Sequence, residues 1–126
     1  MNSKTTKQRI LLVDDDADLA RLLIHLLRAA NFEVSHAATA PAAMSAVAGQ
    51  LPDLFIVDLR SPEIDDDHLL HWLRQDLGAT QPVLILTGIV KPGFDASLKA
   101  AGADAVAHKP VDSQTLVGLV RGLLAR

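Results

Sequence analysis

A chain of 126 residues has room for one ordinary domain, and 49% hydrophobic with 21% charged residues excludes a disordered or low-complexity scaffold. The absence of Cys removes disulfides, thiolate nucleophiles and cysteine metal sites, and 3% aromatic residues leave the core to Leu, Val, Ile and Ala. A formal net charge of -3 offers no bulk basic face for a nucleic acid backbone; with no secretory leader and no apolar run near membrane length, a cytoplasmic protein is expected.

Ile10-Leu11-Leu12-Val13 is a continuous apolar run halted by Asp14-Asp15-Asp16, as suits a strand buried on both faces. From Asp18 to Ala30, residues Leu19, Leu22, Leu23, Leu26, Leu27 and Ala30 recur at helical spacing, and the preceding acids favour the helix start. Phe32 to Ala37 predicts a second strand, with Phe32, Val34 and His36 on one side. Thr39 can cap a helix over Pro41 to Ala48, with Pro tolerated in its first turn and Gly49 ending it. Leu54 to Val57 is a third apolar run and ends in Asp58. After a turn around Pro62, Asp65-Asp66-Asp67 opens a helix through Leu69, Leu70, Leu73 and Leu77, closed by Gly78.

Pro82 to Leu86 predicts a fourth strand ending at Thr87-Gly88. Phe94, Leu98 and Ala101 mark a short helix stopped by Gly102, and Ala103 to His108 is a short fifth strand ending at Lys109-Pro110. Asp112 or Ser113 caps a last helix with Leu116, Val117, Val120 and Leu124 inward. The alternation predicts a flavodoxin-like doubly wound α/β fold: a five-stranded parallel sheet in the order 2-1-3-4-5, helices on both faces, over residues 9–126. Residues 1–8, with Lys4 and Lys7, are expected to form a flexible tail.

Ligands of such sheets bind outside the carboxyl ends of the strands, which gathers Asp14, Asp15, Asp16, Asp58, Thr87 and Lys109. Clustered carboxylates repel one another unless a cation or proton neutralises them, and their oxygens suit a hard divalent ion. A hydroxyl and an ammonium beside them suit a tetrahedral oxyanion, so the set is equipped for phosphoryl transfer. Other polar groups carry less. His68 and His71 stand at a metal-capable spacing but lack an evident third ligand; His25, His36 and His108 read as surface or edge residues, and Trp72 as a packing residue.

The ordered set resembles the receiver domain of the two-component response regulators. The matching pieces are Asp14-Asp15-Asp16, Asp58 followed by Pro62 and Asp65, the Thr87 strand end, Ala101-Gly102-Ala103-Asp104, and Lys109-Pro110. The resemblance implies that Asp58 accepts a phosphoryl group from the phosphohistidine of a histidine kinase or histidine phosphotransfer protein. It implies Mg²⁺ (or Mn²⁺) held by Asp14, Asp15, Asp58 and the backbone carbonyl of Arg60, Thr87 and Lys109 on the phosphoryl oxygens, and a cis Lys109–Pro110 bond. It further implies a signalling switch rather than an enzyme. Its output would reach a downstream protein partner or a fused output domain outside these residues, a homodimer could form on phosphorylation, and the chain itself would bind neither nucleic acid nor membrane.

Several positions depart from the family pattern. Val106 stands where many receivers carry a switch aromatic, and the chain has no Tyr. Gly88 is the small residue often found after the hydroxyl and leaves the acid pocket open, whereas Asp66 replaces a common glycine; Arg60 and Ile89 flank the path of attacking water, so an altered phosphoryl lifetime is expected. Val106 also keeps open a phosphorylation-independent pseudo-receiver that acts as an interaction module. An aspartate-nucleophile phosphatase of the haloacid dehalogenase type would need an acid where Arg60 stands and a cap domain that does not fit in 126 residues.

Overall fold

The computed structural model describes residues 7–59 and 66–126, with residues 66–68 described by backbone alone. Residues 1–6 of the expected 1–8 tail, the Pro62 turn, Asp65 and Arg60 lie outside the described residues. The strands are β1 (Arg9–Val13), β2 (Glu33–Ala37), β3 (Leu54–Leu59), β4 (Val83–Thr87) and β5 (Ala105–His108). The helices are α1 (Ala17–Ala29), α2 (Ala40–Gly49), α3 (Asp66–His71), α4 (Phe94–Ala101) and α5 (Ser113–Leu124), and a π-helical segment, Trp72–Asp76, continues α3. The sheet is parallel in the order β2-β1-β3-β4-β5, as expected.

Alternation along each buried strand sends side chains to two apolar layers, one on either side of the sheet. Ile10, Leu12, Leu54, Ile56, Leu84, Leu86 and Ala107 pack with Leu23 and Leu27 of α1 and Leu116, Val120 and Leu123 of α5. Leu11, Val13, Phe55, Val57, Val83 and Ile85 pack with Val47 of α2, Leu69 and Leu70 of α3, Leu73 of the π-helical segment and Leu98 of α4. The helices start on side-chain caps where the sequence supplied them. Asp16 accepts from the backbone of Asp18 and Leu19, and Thr39 from Ala42. Asp112, rather than Ser113, caps α5, accepting from Thr115 N at 2.8 Å and Thr115 Oγ1 at 3.0 Å, and these bonds hold its carboxyl below the usual carboxylate range.

The inward assignments of Leu22, Leu77, Val117 and Leu124 change. Leu22 is 54% exposed, because α1 buries Ala20, Leu23 and Leu27 along a stripe that passes beside it. Leu77 is 42% exposed: the bond from Leu77 N to Trp72 O widens the turn and rotates the residues after Leu73 off the apolar stripe. On α5, Leu123 is buried, whereas Val117 and Leu124 are only partly so. His36 is exposed at the sheet edge, as the surface or edge reading expects, while Phe32 and Val34 are buried.

Arg74, in the π-helical segment, ties three elements together at the end of the sheet opposite the acids. Its Nε donates to Gly102 O, its Nη1 to Ala79 O and Gln81 O, and its Nη2 to Asp104 Oδ2, at 2.8–3.0 Å. Asp104 Oδ2 also accepts from Val83 N at 2.8 Å, so one carboxylate joins the starts of β4 and β5. Gly102 permits this arrangement: its φ is 122°, and a Cβ there would lie 2.5 Å from Arg74 Cγ.

Candidate functional site

Asp14 follows β1 directly, Asp58 is the penultimate residue of β3, Thr87 is the last residue of β4, and Lys109 follows β5 directly. Asp58 and Thr87 thus lie inside their strands rather than after them, a one- or two-residue extension of the apolar runs. Main-chain bonds fix these ends relative to one another: Asp14 N donates to Ala37 O at 3.0 Å and Lys109 N to Thr87 O at 2.8 Å.

At the centre, Lys109 Nζ donates to both oxygens of Asp58, at 2.8 and 2.9 Å. The Asp58 side chain is fully buried, and 27% of the Lys109 side chain remains exposed. A buried carboxylate requires such a partner, since an unpaired charge is costly away from water. Asp14 is also buried. Its Oδ1 accepts from Asp16 N at 3.0 Å, and its Oδ2 has no hydrogen-bond partner among the described residues. Burial pushes the Asp14 carboxyl above the usual range; the Asp16 N–H pulls it down, the Asp58 charge raises it, and Lys109 lowers it. Thr87 is wholly buried and its Oγ1 accepts from Ile89 N at 3.0 Å. Asp15 is exposed, while Asp16 serves as the α1 cap. The Lys109–Pro110 peptide is cis, in agreement with expectation.

Of the expected site residues, Asp58 and Lys109 meet directly. Asp14 lies close enough to feel both charges, and Thr87 joins them through the β5 backbone. Among the described residues no three carboxylate or imidazole side chains form a ready-made metal cage, and both Asp58 oxygens are engaged by Lys109. The donor set still fits a hard cation, because the buried Asp14 Oδ2 is a carboxylate oxygen in need of a partner. Two contacts had no sequence signal. His36 Nε2 donates to Asp14 O at 2.7 Å, bracing the acidic turn from β2, and His108 Nε2 donates to Asp95 Oδ2 at 2.7 Å, linking β5 to α4. Both join residues far apart in the chain, where periodicity is silent.

The sequence pattern of the response regulator receiver domain matches residues 10–121. The chain belongs to the response regulator receiver domain family. The DNA-binding response regulator MtrA of Mycobacterium tuberculosis is 35% identical over 122 residues, covering 97% of this chain and 53% of that protein. Response regulator PleD of Caulobacter vibrioides is 34% identical over 116 residues, covering 91% of this chain and 26% of that protein. The receiver domain therefore spans about half the length of MtrA and about a quarter of PleD. A crystal structure assigned to a response regulator of Chloroflexus aurantiacus superposes with a TM-score of 0.87 at 36% identity, covering 96% of this chain and 100% of that one. The chemotaxis protein CheY4 of Vibrio cholerae superposes with a TM-score of 0.85 at 25% identity, covering 94% of this chain and 99% of that one. As a receiver domain, the chain is a switch component of two-component signalling. Among the described residues, no helix is long and apolar enough to cross a membrane.

Proposed function

We propose that this receiver domain takes a phosphoryl group onto Asp58 from the phosphohistidine of a histidine kinase or histidine phosphotransfer protein. The observation that carries the reading is the two-oxygen contact of Lys109 with a fully buried carboxylate at the carboxyl edge of the sheet. An Asp58 oxygen attacks phosphorus, the P–N bond breaks, its electron pair leaves with the imidazole, and an acyl phosphate forms. Asp14, Asp15, Asp58 and the carbonyl of Arg60 would hold Mg²⁺ or Mn²⁺, which supplies charge neutralisation on the phosphoryl oxygens. Lys109 moves from the carboxylate onto the new phosphoryl group, which brings roughly two negative charges. Thr87 offers its buried hydroxyl at the adjacent strand end, and the altered charge shifts the domain between two conformations.

The signal passes to a protein partner or an output domain, as the longer relatives suggest, and a homodimer on phosphorylation is one form this output can take. Incubation with Mg²⁺ and acetyl phosphate should add one phosphoryl group to the intact mass, and Asp58→Asn should abolish it. An unchanged mass, with no response to beryllofluoride, would instead favour a phosphorylation-independent interaction module. Val106 is the observation behind that second reading, because it puts a partly buried aliphatic side chain at the switch position.

A further inference from the structure

The end of β5 carries two connections in adjacent residues. Lys109 reaches Asp58 through its ammonium and Thr87 through its backbone N–H. His108 pairs in register with Thr87, and its ring Nε2 lies 2.7 Å from Asp95 Oδ2 in the first turn of α4. Strand alternation explains the direction: Ala107 belongs to the α1–α5 layer, so Val106 and His108 project toward α4, as does Thr87 opposite. Val106 offers α4 only an apolar contact, whereas His108 offers a directional bond.

Helix α4 is thinly secured. It buries one side chain fully, Leu98, and begins at Gly93, with φ of 81° and no side-chain cap. Asp95 therefore anchors the uncapped turn to the strand that carries the site lysine. The pair is partly exposed, at 39% and 43% of the two side chains, and a contact of that kind is weak enough to open and close.

We propose that His108 and Asp95 form a latch that carries the state of the Asp58 site to α4, a proposal that rests on the phosphoacceptor reading. The latch is closed while Lys109 sits on the bare carboxylate. When Lys109 and Thr87 follow a phosphoryl group, the end of β5 shifts, the bond from His108 to Asp95 opens, and the first turn of α4 is released.

Nuclear magnetic resonance and amide hydrogen exchange, with and without Mg²⁺ and beryllofluoride, test the latch in the wild type and in the His108→Ala, His108→Gln and Asp95→Ala variants. In the wild type, beryllofluoride should shift the His108 ring signals and raise exchange in the first turn of α4. His108→Ala and Asp95→Ala should raise that exchange before beryllofluoride is added and shrink the further response several-fold, while acetyl phosphate still adds a phosphoryl group to each. His108→Gln, which keeps an N–H donor, should restore part of the response. If α4 responds in His108→Ala as in the wild type, the latch is overturned and Asp58 remains the acceptor. If the wild type takes no phosphoryl group, the phosphoacceptor reading fails and the latch falls with it.

Discussion

At Asp14, burial and charge pull against one another. The carboxyl is enclosed, one oxygen has no hydrogen-bond partner among the described residues, and Asp58 adds a second negative charge, so its pKa is raised with burial as the first cause. An acid whose native pKa exceeds its unfolded one contributes its full stability below the unfolded value and loses it as pH rises through the native value. Asp14→Asn should therefore be more stable than the wild type at neutral pH, by a few degrees in Tm, with the gain shrinking toward acid. Denaturant midpoints measured at both pH values check this; an equal gain at each would assign the effect to packing. Mg²⁺ should raise the Tm of the wild type but not of Asp14→Asn, since a ligand stabilises only the protein that binds it. The gathering of Asp14, Asp58 and Lys109 at one end of the sheet was legible in the sequence from their order at strand ends. Their pairing was not, because nothing in the spacing of residues 58 and 109 says that both oxygens of one face the ammonium of the other.

Among the elements, the strands were the most legible, since a short apolar run halted by an acid suits a buried strand and is too brief for a helix. Helix faces were less so. Leu22 and Leu77 kept helical spacing yet stand exposed, the first beside the buried stripe and the second beyond a π-helical turn that shifts the phase. That segment carries the Arg74 clamp, whose partners come from two connections, Ala79 and Gln81 before β4 and Gly102 and Asp104 before β5. Arg74→Met keeps most of the side-chain volume but deprives these acceptors of a charged donor. It should lower stability by roughly 2–4 kcal/mol. Urea unfolding reads the loss, and a change well under 1 kcal/mol would mean that water replaces the guanidinium. Phosphorylation of Asp58 should survive this substitution wherever the protein remains folded, because the clamp lies at the opposite end of the sheet.

For the molecule as a whole, the parallel sheet separates two apolar layers that share no side chains among the described residues. Val120 of α5 and Val47 of α2 are buried in opposite layers. Substitution of either by Ala should cost about 1–3 kcal/mol, and the double variant should cost the sum within about 0.5 kcal/mol. A larger coupling, measured by denaturant unfolding of all four proteins, would show that the sheet transmits strain from one layer to the other. The ammonium of Lys109, meanwhile, bonds both oxygens of the Asp58 carboxylate in the resting fold. A cation arriving there must therefore share those oxygens with the ammonium or displace it. The affinity for a divalent ion should accordingly be modest, so the resting protein keeps a guarded site that fills only where that ion is abundant.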